Sequence, residues 1–168
     1  MNTVDPKNYS PKSSCLKNKV ILITGASDGI GKQAAITFAS YGSETILIGK
    51  DLGKLEKTYN EIKELGCLEP TIHAMDHTTS SENDYIEVIS AIESEFGKLD
   101  GLLCNAGILG AKKSLSQYDY KTWKKVLKVN LDATFLLTKN ALPLLKKQKN
   151  ASIVLTTSGV GRKGRAFW

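Results

Sequence analysis

Thr24-Gly25-Ala26-Ser27-Asp28-Gly29-Ile30-Gly31 is the stretch of this chain whose residue types and spacing best suit the holding of an anion. It follows the apolar run Val20-Ile21-Leu22-Ile23 and opens into the apolar-periodic segment from Ala34 to Ala39. A β-branched run, a glycine-rich turn and then helical spacing describe the first strand–turn–helix unit of a nucleotide-binding sheet. Gly25 lets the chain leave the strand in a conformation that a Cβ disfavours. Gly29 lets backbone approach a pyrophosphate, and Gly31 lets the new helix lie close on the strand. The free N–H groups and positive end of that helix then face the anion. Thr24, Gly25, Ser27, Asp28, Gly29, Ile30 and Gly31 are the candidate residues for the phosphate end of such a ligand.

Other polar or glycine groups recur where later strands are expected to end: Gly49-Lys50, Asp76 with His77 beside it, Asn105-Ala106-Gly107, and Thr157-Ser158. A polar group at one strand end is ordinary, because turns need one. With Thr24-Gly25 the set is in register, and ligands of open parallel sheets sit outside the C-terminal strand ends where the strand order reverses. The groups therefore point to one site.

The elements that must position them follow from the spacing. Strands are expected over Glu44 to Gly49, Thr71 to Met75, Leu99 to Cys104 and Ala151 to Thr156, in addition to the first. A helix from about Leu52 to Leu65 ends at Gly66. A second begins after the Thr/Ser cluster Thr78 to Ser81 and aligns Tyr85, Val88, Ile89, Ile92 and Phe96 on one face. From about Asp119 the spacing is helical up to the last expected strand. Trp123, Val126, Leu127, Leu131, Thr134, Phe135, Thr138, Leu142 and Leu145 form its stripe, Asn130 is a polar interruption, and Pro143 is a candidate kink. Strands alternating with helices imply an α/β fold: a Rossmann-like, doubly wound parallel sheet with helices on both faces.

The chain has 168 residues, enough for one domain with a real core and too few for two. Residues 1–15 read as a polar, flexible leader and residues 16–168 as the domain. Neither a signal peptide nor a run of about eighteen apolar residues is visible, so the expectation is a cytoplasmic protein without a membrane partner. Cys15, Cys67 and Cys104 are widely spaced, and His73 and His77 have no cysteine beside them, so no disulfide framework and no metal site are expected. The net charge of +6 comes largely from lysines flanking helical stripes, which read as solvated faces. No reader motif accompanies them, so nucleic acid is not an expected partner.

With these groups in place, the chain resembles the short-chain dehydrogenase/reductase family. The resemblance rests on Thr24-Gly25-(x)3-Gly29-Ile30-Gly31, Asp76, Asn105-Ala106-Gly107, Asn130 and Ser158, in the family's order. The wording of Gly25 to Gly31, Asn105 to Gly110 and Val160 to Trp168 is most similar to the bacterial YciK-type subgroup. The resemblance implies hydride transfer between a nicotinamide cofactor and a small carbonyl or alcohol substrate. It makes Ser158 the residue that steadies the carbonyl oxygen and Asn130 the holder of a water in the proton path. It also implies a tyrosine and a lysine one helical turn later, which supply and tune the proton. At the family's spacing that pair falls just beyond Trp168. Tyr59 with Lys63 and Tyr120 with Lys124 match the spacing but lie upstream of the serine. The expectation is therefore an incomplete domain that lacks its C-terminal strands and helices, inactive alone. A non-catalytic dinucleotide-binding regulator is the alternative, and a homo-oligomer of the full-length form through the long helix stays open.

The residue types at the end of the second strand bear on which dinucleotide is held. An acidic side chain there would favour NAD by accepting from the ribose 2′-hydroxyl. Gly49 and Lys50 offer no acid and one cation, with Ser27 nearby as a hydroxyl donor, and Asp51 is better placed to cap the next helix. NADP(H) is expected over NAD(H), with Asp76 on the adenine side.

Overall fold

In the computed structural model, which describes residues 9–167, one sheet of five parallel strands is built in the order β3-β2-β1-β4-β5. The strands are β1 (Val20–Thr24), β2 (Glu44–Gly49), β3 (Thr71–Ala74), β4 (Gly101–Cys104) and β5 (Ser152–Leu155). The chain adds β2 and β3 on one side of β1, then crosses back to add β4 and β5 on the other. β1 pairs with both β2 and β4, so the reversal of strand order lies between β1 and β4. This is the doubly wound parallel fold that the alternation of strands and helices predicts.

Helices α1 (Gly29–Ser40) and α2 (Leu52–Glu64) cover one face, and α3 (Glu82–Phe96) and α5 (Ala133–Lys146) the other. The side chains of β1 divide accordingly. Val20 and Leu22 join Tyr85, Val88, Leu137 and Leu144 in one core; Ile21 and Ile23 join Ala35, Leu55 and Ile62 in the second. A strand covered on both faces has no polar side, which is why its sequence is a continuous apolar run. Each fully buried leucine or isoleucine removed from water contributes about 1.5–3 kcal/mol before entropy is counted.

The helix ends follow local chemistry. Asp28 accepts from the Gly29 N–H at 2.8 Å at the start of α1, and Asp51 accepts from the Lys54 N–H at 3.0 Å at the start of α2. Ser81 precedes α3, and its N–H donates to Asp84 at 2.6 Å. Gly97 ends α3 with φ 67°, and Gly66 follows α2 with φ 70°, left-handed positions where a Cβ would strain the backbone.

The long helical stretch departs from the expected stripe. α4 (Tyr120–Leu127) leads into a π-helical turn, Lys128–Asp132, and then α5. The residues turned inward are Val129, Ala133, Leu137, Ala141, Leu144 and Leu145, whereas Trp123, Leu131 and Phe135 face outward. The extra residue of the π-turn shifts the register, and small alanines at 133 and 141 let the helix approach the sheet. α5 runs through Pro143, so the irregularity belongs to the Asn130 turn. β5 lies at a sheet edge with Ile153, Val154 and Leu155 exposed. Of the expected leader, residues 1–8 lie outside the described residues. Residues 9–15 are mostly exposed, and Leu16, at the start of the expected domain, packs against the second core.

Candidate functional site

A cavity of about 750 Å³ opens at the C-terminal end of the sheet, over the point where β1 and β4 meet. Its walls come from four loops that follow strands, and from α4. Gly25, Ser27, Asp28 and Gly29 form one side; Gly49 and Lys50 follow β2; Asp76 and His77 follow β3; Asn105, Ala106 and Gly107 follow β4. Eleven of the sixteen expected site residues thus line one space.

The glycine-rich turn is fixed from both sides. The Ala26 N–H donates to the Ile48 carbonyl at 3.1 Å, and the Thr58 hydroxyl donates to the Ala26 carbonyl at 3.2 Å. Gly25 has φ +66°, and Gly31 packs so closely that a Cβ there would lie 2.2 Å from the Gly25 carbonyl oxygen. A Cβ at Gly29, in contrast, would meet nothing within 4 Å. The turn is thus tight behind Gly31 and open in front of Gly29. The first-turn N–H groups of Ile30 and Gly31 have no acceptor within the helix. This cradle fits the diphosphate bridge of a dinucleotide: an open approach, backbone donors and the positive end of a helix.

Five expected residues lie behind or beside the cavity. Thr24 is buried, and its hydroxyl accepts from the N–H groups of Asn105 and Ala106, both at 3.0 Å. It ties the end of β1 to the end of β4 and so positions the loop that forms the cavity wall. Ile30 projects outward with its side chain exposed, and Gly31 serves packing. Asn130 holds the loop after β4: its Oδ1 accepts from the Ile108 N–H at 2.8 Å, and its Nδ2 donates to the Ile108 carbonyl at 2.9 Å. Ser158 follows β5 and begins a short 3-10 turn, where its Oγ accepts from the Val160 N–H at 3.4 Å. β5 is tied to the site by Thr156, whose hydroxyl donates to Asn105 Oδ1 at 3.2 Å.

The charged groups of the cavity are cationic near the end of β2. Asp76 accepts from the Thr78 N–H at 2.8 Å, and that bond together with the fields of Lys50 and Lys125 holds its carboxyl below the usual carboxylate range. His77 is buried, its Nδ1 lies 3.1 Å from the Tyr85 hydroxyl, and the two rings are stacked. Burial lowers the His77 pKa and raises that of Tyr85 to about 12. His77 is therefore a neutral member of the cavity wall.

Sequence reasoning missed Lys125, Thr122, Ile108 and Gly110, which complete the cavity from α4 and the loop before it. The signal available for Lys125 was helical spacing alone, which places it among other lysines. Neither Tyr-(x)3-Lys match lines the cavity. Tyr59 and Lys63 both bind Glu69 on the outer side of α2. Lys124 lies over the exposed Tyr120 ring, 4.9 Å from its centre.

The sequence profile of the short chain dehydrogenases matches residues 19–168. The chain belongs to the short-chain dehydrogenase/reductase family. It is 41% identical over 161 residues to the oxidoreductase YciK of Escherichia coli K12, covering 96% of this chain and 64% of that relative. A short chain dehydrogenase from Pseudomonas syringae superposes with a TM-score of 0.93 at 43% identity, covering 96% of this chain and 65% of the other. A short chain dehydrogenase from E. coli CFT073, complexed with NADPH, superposes with a TM-score of 0.90 at 42% identity, covering 94% and 66% respectively. The chain thus spans a little under two thirds of its relatives.

Proposed function

We propose that the protein is an NADP(H)-dependent oxidoreductase acting on a small carbonyl or alcohol substrate, and that these 168 residues carry its dinucleotide site. The observation that carries the reading is the cavity at the strand-order reversal, walled by the glycine turn on one side and by Gly49-Lys50 on the other. When bound, the nicotinamide supplies or accepts a hydride.

The chain's own residues hold and orient that group. Backbone donors of the first turn of α1, with Gly25 and Gly29, take the diphosphate. Ser27, Gly49 and Lys50 take the 2′-phosphate, because the residues at the end of β2, Gly49 and Lys50, bring a cation and no carboxylate. Asp76 and His77 bound the adenine side, and Asn105, Ala106 and Gly107 the ribose next to the reacting ring. Asn130 fixes the loop after β4 through Ile108, and Ser158 offers a hydroxyl beside β5 to a carbonyl oxygen. The NADPH complex of the E. coli CFT073 relative supports the choice of dinucleotide.

Neither Tyr59 with Lys63 nor Tyr120 with Lys124 is among the residues that line the cavity. Calorimetric titration with NADPH and NADH tests the reading. NADPH should bind at least about tenfold tighter, the equivalent of one charged contact. Equal binding would remove the preference, and heat from neither would remove the dinucleotide site.

A further inference from the structure

Lys54 lies in the first turn of α2, and its Nζ is 2.7 Å from Oδ2 of Asp28, a residue that lines the cavity. The other oxygen of Asp28 caps α1 through the Gly29 N–H, so this carboxylate joins the starts of two helices. Ser27 is adjacent in sequence, and its Oγ is so near Gly49 that a Cβ there would approach it to 3.0 Å. Ser27 and Lys50 thus line the cavity at the end of β2, and the Lys54 ammonium meets that lining through Asp28.

Building on the NADP(H) reading above, we propose that Lys54 is a further specificity-determining residue, held by Asp28 in the free protein and transferred to the 2′-phosphate on binding. The exposure of the pair makes this exchange easy. The side chains of Lys54 and Asp28 are 51% and 73% exposed, and an ion pair in water is weak. A phosphate carries more charge than a carboxylate and offers more acceptor oxygens, so it attracts a nearby ammonium more strongly. Asp28 keeps its capping bond to Gly29 when the lysine leaves. It therefore competes with the 2′-phosphate for one cation without holding the turn hostage to it. A nucleotide lacking the 2′-phosphate gains nothing from Lys54 and leaves the pair closed.

The test compares 2′,5′-ADP with 5′-AMP, which differ only in the 2′-phosphate, by calorimetry on the 168-residue chain. Lys54→Gln should weaken 2′,5′-ADP about tenfold while 5′-AMP changes little. Lys54→Arg should restore the preference. Asp28→Asn keeps a good helix cap and removes the competitor, so it should tighten 2′,5′-ADP selectively. Equal weakening of both ligands by Lys54→Gln would mean that the lysine merely neutralises Asp28, and would overturn the proposal. An unchanged ratio would do the same. If the unaltered chain does not distinguish the two ligands, the NADP preference itself falls.

Discussion

Gly31 has no room for a side chain, and the reason lies behind it rather than in the cavity. An added Cβ would sit 2.2 Å from the Gly25 oxygen and 2.7 Å from Asn105 Nδ2. The first of these is backbone and cannot swing aside. Gly31→Ala should push α1 away from β1, costing about 1–3 kcal/mol in urea unfolding, and should weaken NADPH because the cradle shifts with the helix. Gly29→Ala is the informative partner. It meets nothing, but its backbone sits at φ +54°, so its cost should be about 1–2 kcal/mol from conformation alone. If Gly31→Ala unfolds at the same urea concentration as the parent, the packing account of Gly31 is wrong.

Asp100 shows how an element is locked at the end away from the cavity. It lies at the start of β4, where Oδ1 accepts from Lys19 Nζ at 2.7 Å and Oδ2 from the Val20 N–H at 3.1 Å. Its own N–H donates to the Val20 carbonyl, and its carbonyl accepts from the Ser152 N–H, so one residue joins the starts of β1, β4 and β5. Burial pushes its pKa up, but the Lys19 and Val20 bonds outweigh that and leave it below the usual range. Asp100→Ala should cost about 1–3 kcal/mol, because Lys19 can turn to water whereas the Val20 N–H cannot. A midpoint in urea that does not move would remove this role. Nothing near Asp100 in the sequence announced the tie, since Lys19 and Val20 lie some 80 residues away. The strands themselves were legible because burial on both faces writes a continuous apolar run. The stripe of the long helix was misread for a physical reason: a π-turn at Lys128–Asp132 changes the period, and both faces of the helix carry apolar residues. The glycine turn was legible as a motif, yet the role of Thr24 as a tie between β1 and β4 required the fold.

Stability of the whole molecule against pH should carry the signature of one group before the carboxylates matter. His77 is buried at the cavity end of the core that holds Tyr85, and burial lowers its pKa from the ordinary 6.5. The unfolded chain therefore takes up a proton first as pH falls, and a state that binds more protons gains as acid is added. Stability should be level above about pH 6.5 and decline below it, by at most about 1.4 kcal/mol per pH unit. The lowered carboxyls of Asp76, Asp84 and Asp100 act in a different window. Their contribution is present above the ordinary value of 3.8 and is lost as pH falls through their lower folded values. Urea unfolding at pH 8, 7, 6 and 5 should separate the two. His77→Asn keeps a neutral acceptor near the Tyr85 hydroxyl but cannot be protonated, so its curve should stay flat between pH 7 and 5 while the parent falls. Parallel curves for parent and variant would show that the acid sensitivity resides elsewhere in the fold.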